Sequence, residues 1–152
     1  MTPLTDVIDA ALGGELAETV RAVRQSRPAV VAHTQGVHDA LFQGPGGLAF
    51  GPERLAAVAA HIADLAGAKA LAAHYAATAA PGDAADPKLA AALTHVTRLT
   101  LAPATSARAH IAELHAAGLT ELEIVTVAQL AGFVNYQIRL LAGLTLIGAT
   151  HE

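Results

Sequence analysis

After Thr120 the chain runs for almost thirty residues with apolar side chains on every side of a helical wheel. Ile124, Val127, Leu130, Val134, Leu141 and Leu144 mark one side, and Val125, Phe133, Ile138, Leu140, Leu146 and Ile147 fill the others. A helix with no polar face belongs in the centre of a domain or against another subunit. Its start is marked by Thr120-Glu121-Leu122-Glu123, a capping box. The threonine hydroxyl accepts from the Glu123 amide and the glutamate reaches back to the Thr120 amide. The β-branched cluster Ile124 to Val127 also suits a strand on propensity. The preceding cap and the lack of a partner strand select the helix.

The rest of the chain must pack around that segment with little bulk. It is 53% hydrophobic but only 3% aromatic, and the excess is alanine. Alanine is the best helix former and brings little apolar area per residue. The expected class is all-α, one domain over residues 1–152, with about seven to eight closely packed helices. A thin hydrophobic yield per residue points to further burial by self-association, so a homo-oligomer is the expected state.

Several function classes fall away. The chain has no cysteine, which removes thiol catalysis, thiolate metal sites and disulfides. Nine basic against thirteen acidic residues leave a net charge of −4, the wrong balance for a nucleic-acid partner. Met1 to Asp9 shows no secretory pattern. The two longest uncharged runs, Ile124 to Ile138 and Leu140 to Thr150, are split by Arg139 and each falls short of a bilayer span. The expectation is a cytoplasmic protein without membrane partner, metal or cofactor.

Punctuation places the other helices. Thr5 is positioned to cap Asp6 to Leu12, which Gly13-Gly14 ends; Glu15 to Arg24 follows. Pro28 opens a helix to about Phe42, and Gln43 to Gly51 reads as a loop. Pro52 opens the next helix, which Gly67 breaks or kinks before it resumes to Ala79. Pro81 to Pro87 is a connector, Asp86 caps a helix to about Leu101, and Thr105 or Ser106 caps another that ends at Ala117 with Gly118 as its stop. Ala63-Asp64-Leu65-Ala66-Gly67 echoes Ala128-Gln129-Leu130-Ala131-Gly132, which raises an internal duplication of a helical hairpin.

Two segments carry a family resemblance. Arg54 to Tyr75, RLAAVAAHIADLAGAKALAAHY, resembles the core helix pair of the carboxymuconolactone decarboxylase and alkylhydroperoxidase D superfamily. Gly118 to Leu146, GLTELEIVTVAQLAGFVNYQIRLLAGLTL, is similar to a later helix of the same family. His33 to Phe42 looks like the extra helix of peroxidase-related members without assigned activity. The resemblance implies the all-helical fold of that superfamily. Its redox branch uses a glutamate upstream of Cys-x-x-Cys-x-x-x-His. On this chain His74 occupies the histidine, while Gly67 and Ala70 occupy the cysteines. The glutamate falls near Leu55, with Glu53 two residues and about 200° of helix away. A thiol peroxidase needs a thiolate, so this chain is not one. The decarboxylase branch keeps a histidine there without the cysteines and acts on a carboxylated lactone.

Residue chemistry leaves two readings open. His74 is the leading acid/base candidate, since histidine titrates near neutrality; otherwise it is an inherited helix histidine. His61 and Asp64, three apart, are placed to touch on one face. Asn135 and Arg139, four apart on an apolar helix, either hold a small organic acid or bond a neighbouring helix or subunit. His33 and His38 are weaker ligand-binding candidates; five residues apart, about 140° around a helix, they do not share a face. The same spacing separates His110 from His115 and speaks against a zinc pair. The chain is therefore either a non-catalytic, ligand-binding homo-oligomeric scaffold or a cysteine-independent, decarboxylase-like enzyme with His74 as acid/base.

Overall fold

The computed structural model describes residues 6–79 and 85–150. Its organising element is α10, Glu121–Ala149, a single helix of 29 residues. Thr120 Oγ1 accepts from the Glu123 amide and Glu123 Oε2 accepts from the Thr120 amide, so the expected capping box is formed. The Ile124 to Val127 cluster is helical. Arg139 does not interrupt the helix, so the two uncharged runs merge. By length and composition, with a mean hydropathy of 1.4 over 18 residues, α10 could cross a bilayer. That corrects the expectation drawn from the runs separately. It also buries Glu123, Thr126 and Gln137 within the chain and packs against α1, α2, α4, α5, α6, α8 and α9.

The nine other helices are α1 (Val7–Leu12), α2 (Gly14–Thr19), α3 (Arg21–Gln25), α4 (Pro28–Gln43), α5 (Pro45–Phe50), α6 (Pro52–Leu65), α7 (Lys69–Ala76), α8 (Pro87–Leu101) and α9 (Arg108–Ala116). Among the described residues the chain is all-α, without a strand. The ten helices exceed the expected seven to eight for two local reasons. The run Glu15 to Arg24 breaks at Val20, whose side chain is fully buried beside Ile8 and Leu144 in a second small core. The supposed loop Gln43 to Gly51 contains α5. Pro45 fits its first turn, and its glycines answer packing rather than turning. A Cβ on Gly46 would lie 1.9 Å from Thr126 Oγ1 of α10, and one on Gly47 would lie 2.0 Å from the Leu41 carbonyl of α4.

Other boundaries follow the local chemistry. Asp6 caps α1 by accepting from the Asp9 amide; Thr5 lies outside the described residues. Asp86 caps α8 by accepting from Lys88 and Leu89, while part of the Pro81 to Pro87 connector lies outside the described residues. Neither Thr105 nor Ser106 caps α9. Pro103–Thr105 forms a 3-10 turn, Ala107 takes the cap position, and its amide donates to His110 Nδ1.

Gly67 and Gly118 both end helices at positive φ, 69° and 94°. At Gly67 the Ala68 amide donates to the Ala63 carbonyl and the Gly67 amide to Asp64, the paired bonds of a Schellman turn. Leu119 to Leu114 and Gly118 to His115 repeat it after α9. Gly132 instead lies inside α10. The two echoing pentapeptides therefore have different structures, and the hairpin duplication is not reproduced.

Candidate functional site

α7 is short and follows the Gly67 turn directly, so His74 and Tyr75 are presented near its end. Tyr75 is 2% exposed and its hydroxyl donates to Gln137 Oε1 of α10 at 2.7 Å. Gln137 is itself 1% exposed. Burial pushes the Tyr75 phenol well up, against the smaller opposing effect of the Gln137 bond. Tyr75 is thus a neutral donor and a structural anchor at physiological pH.

Two histidines flank that anchor. His74 is half-buried and meets the Tyr75 ring edge-on, with centroids 5.4 Å apart. His38 of α4 stacks at 6.1 Å from the Tyr75 ring and 4.6 Å from Phe42, one turn along its own helix. The His74 pKa is lowered, first by burial and then by the nearby His38. At neutral pH the His74 ring is therefore uncharged and in the form a base requires.

His38 Nδ1 lies 3.0 Å from Asp39 Oδ1, and Gln35 Nε2 donates to the same oxygen at 2.9 Å. The bond from His38 holds the Asp39 carboxyl below its ordinary range. With Asp39 ionised, Nδ1 of His38 is the donor and its Nε2 carries the lone pair, the tautomer of a carboxylate-oriented base. Gln35 is pinned in turn, since its Oε1 accepts from the Val7 amide at 3.1 Å. The arrangement can accept a proton, but none of the described cavities is lined by both His38 and His74.

The remaining expected residues do not join this group. Arg139 is exposed and turns back on its own helix, donating to the Asn135 carbonyl at 2.9 Å and to Asn135 Oδ1 at 3.3 Å. Asn135 donates to Thr100 Oγ1 of α8 and to the Ala131 carbonyl. His61 does not pair with Asp64. Its Nε2 lies 2.7 Å from Thr97 Oγ1, whose own proton goes to the Leu93 carbonyl. His61 must therefore donate, and it ties α6 to α8. His33 is exposed on α4. Among the described residues no group of three or more His, Asp or Glu is gathered for a metal.

The positions matched to the redox cysteines are adjacent in space but chemically inert. Gly67 and Ala70, at the α6–α7 turn and in the first turn of α7, line a groove of about 340 Å³. Leu71, Ile138, Leu141 and other aliphatic side chains supply most of its remaining lining, and Lys69 is its one charged residue. His74 lies outside that lining. Leu55, matched to the glutamate, is fully buried core, and Glu53 is exposed.

Sequence reasoning missed Phe42, Tyr75, Gln137 and Asp39. The spacing of His38 and Phe42, one helical turn, and the adjacency of Asp39 were visible signals. Nothing local announces a bond between Tyr75 and Gln137, which lie 62 residues apart.

No family model matches the chain, and no curated protein or solved structure matches it either.

Proposed function

We propose that this chain is a cysteine-less relative of the carboxymuconolactone decarboxylase and alkylhydroperoxidase D-like proteins, serving as a non-catalytic, self-associating scaffold that binds a small organic acid. The observation that carries the assembly reading is the outward face of α10. Leu122, Val125, Tyr136 and Leu146 are 41–70% exposed there, with Val30 and Val37 of α4 also exposed. Gly132 and Gly143 lie on the exposed side of α10, and a Cβ on either would meet nothing within 4 Å. Within a helix glycine costs about 1 kcal/mol relative to alanine, and nothing in the chain itself offsets that. Close approach of a second copy gives both glycines a use.

The polar residues α10 buries within the chain support a core helix over a membrane span, and with it the cytoplasmic placement. The inert lining at Gly67 and Ala70 supports a chain without thiol chemistry. Sedimentation velocity across micromolar concentrations tests the assembly. The expected result is a concentration-dependent oligomer that Gly132→Leu converts to a folded monomer. A wild-type chain that stays monomeric throughout would sink it.

A second reading has a specific observation behind it: the His74–Tyr75–His38 group, with Asp39 orienting His38. In that reading the chain is a decarboxylase-like enzyme with His74 as acid/base. Its test is turnover of carboxylated lactones by the wild type, lost in His74→Ala while the far-ultraviolet circular dichroism is unchanged. Absence of turnover by the wild type returns the balance to the scaffold.

A further inference from the structure

Between α8 and α9 lies a half-open cavity of about 250 Å³, apart from both the His74 group and the outward face of α10. Its polar lining is Thr94, His95 and Arg98 of α8 and His110 and Glu113 of α9; the rest is alanine and leucine. His95 is only 5% exposed, and its Nδ1 is the one fully buried side-chain nitrogen or oxygen among the described residues with no hydrogen-bond partner. Buried polar groups are rarely left so, because the lost hydration is not replaced.

Two charged side chains line the cavity beside His95, the half-buried Arg98 and the solvent-exposed Glu113. Among the described residues neither the Arg98 guanidinium nor the Glu113 carboxylate makes an ion pair or a side-chain hydrogen bond, although they line the same cavity. His110 Nδ1 accepts from the Ala107 amide at 3.0 Å, so the neutral ring carries its proton on Nε2, free to donate. The Thr94 hydroxyl is spent on the Ala90 carbonyl. Burial, then Arg98 and His110, lower the His95 pKa, so that ring too is neutral with one N–H to give.

An unpaired cation, an unpaired anion and a buried unsatisfied imidazole thus share one small space. A dianion is poorly served, since Glu113 opposes it. A neutral ligand leaves Arg98 without a counter-ion. The volume, about 250 Å³, is below the ~300–1,000 Å³ of ordinary small-molecule sites and suits a small ligand. We propose that this cavity binds a small monocarboxylate carrying an adjacent hydrogen-bond donor, an amino acid or a hydroxy acid. Arg98 holds the carboxylate with His95 and His110 donating to it, and Glu113 takes the ammonium or hydroxyl. The ligand-binding half of the proposed function thereby gains a place and a chemistry. It stands without self-association: sedimentation decides one question and the titration below decides the other.

The test follows the imidazole signals of His95 and His110 by NMR in the full chain, with His33 and His61 as controls. The probes are L-alanine, L-lactate, acetate and inorganic phosphate, each added separately. Saturable shifts at His95 and His110 with alanine or lactate are expected, with acetate about tenfold weaker for want of the Glu113 contact. Which of the two binds tighter distinguishes the amino acid from the hydroxy acid. Arg98→Met should abolish binding of every carboxylate. Glu113→Gln should weaken alanine by about tenfold and leave acetate unchanged, which also shows that the variant is folded. The proposal fails if neither alanine nor lactate saturates, if phosphate alone binds, or if Arg98→Met binds as the wild type does.

Discussion

Glu123 offers the sharpest test of how the sequence builds this fold, because one carboxylate performs two jobs. It is 2% exposed and closes the capping box of α10 through the Thr120 amide at 2.7 Å. The same carboxylate accepts from Lys88 Nζ of α8 at 2.9 and 3.2 Å, joining the first turns of the two helices. In Glu123→Ala the cap is lost, worth about 1 kcal/mol. Lys88, whose side chain is 29% exposed, is left without its partner. Breaking a fully buried pair costs about 3–5 kcal/mol, but Lys88 retains some access to water, which reduces that figure. The expected destabilisation is about 2–4 kcal/mol in all, measured by urea unfolding at pH 7.

The double-mutant cycle with Lys88→Met separates the two jobs. A coupling of about 1–3 kcal/mol between the positions is expected, since the second substitution removes a charge already stranded by the first. pH supplies a further check. Burial pushes the Glu123 carboxyl up, but the Thr120 amide and Lys88 outweigh it and the net shift is downward from 4.5. A depressed carboxylate stabilises the fold fully above its unfolded pKa and loses that stabilisation as pH falls through the folded one. Glu123→Gln should therefore lose stability at pH 7 and show a shallower decline below about pH 4.5. A loss under about 0.5 kcal/mol in Glu123→Ala, or additive single effects, would refute the reasoning.

Three further outcomes follow from the packing and the titrating groups. Gly46→Ala should destabilise by about 1–3 kcal/mol, because the added methyl meets Thr126 Oγ1 at 1.9 Å; Thr126→Ala should restore part of it, read by the same urea midpoint. Tyr75→Phe leaves Gln137 buried without its donor and should cost about 1–3 kcal/mol, with the helical circular dichroism intact. Burial is the first cause lowering the pKa of both His74 and His95, so the unfolded chain binds more protons. Stability should hold above pH 6.5 and fall as pH drops through the folded values. His74→Asn should flatten part of that slope in urea titrations between neutral and mildly acidic pH.

The elements legible in the sequence were those specified by short-range chemistry. Thr120 with Glu123, Asp86 before Pro87, and the glycines at 67 and 118 each satisfy orphan backbone groups within a few residues, so a local reading finds them. What was misread depended on partners distant in the chain. Gly46 and Gly47 look like turn residues because a sequence does not show that Thr126 and the Leu41 carbonyl press on them. The same failure explains the α2–α3 break, where Val20 leaves the helical path to reach Ile8 and Leu144.

The site divides along the same line. His74 was selected by resemblance, and its half-buried, neutral state accords with a base. Its neighbours Tyr75 and His38, with Gln137 behind Tyr75, are gathered by three helices, a convergence no spacing encodes. Arg139 illustrates the converse. A guanidinium on an apolar helix is expected to need a ligand or another element, yet its helix supplies Asn135 one turn back and its exposed position removes the burial cost behind that expectation. Arg98 satisfies that original argument instead. It is half-buried, makes no ion pair or side-chain hydrogen bond among the described residues, and lines a cavity with a buried unsatisfied histidine and the exposed Glu113. What separates Arg139 from Arg98 is only the company each side chain keeps after folding.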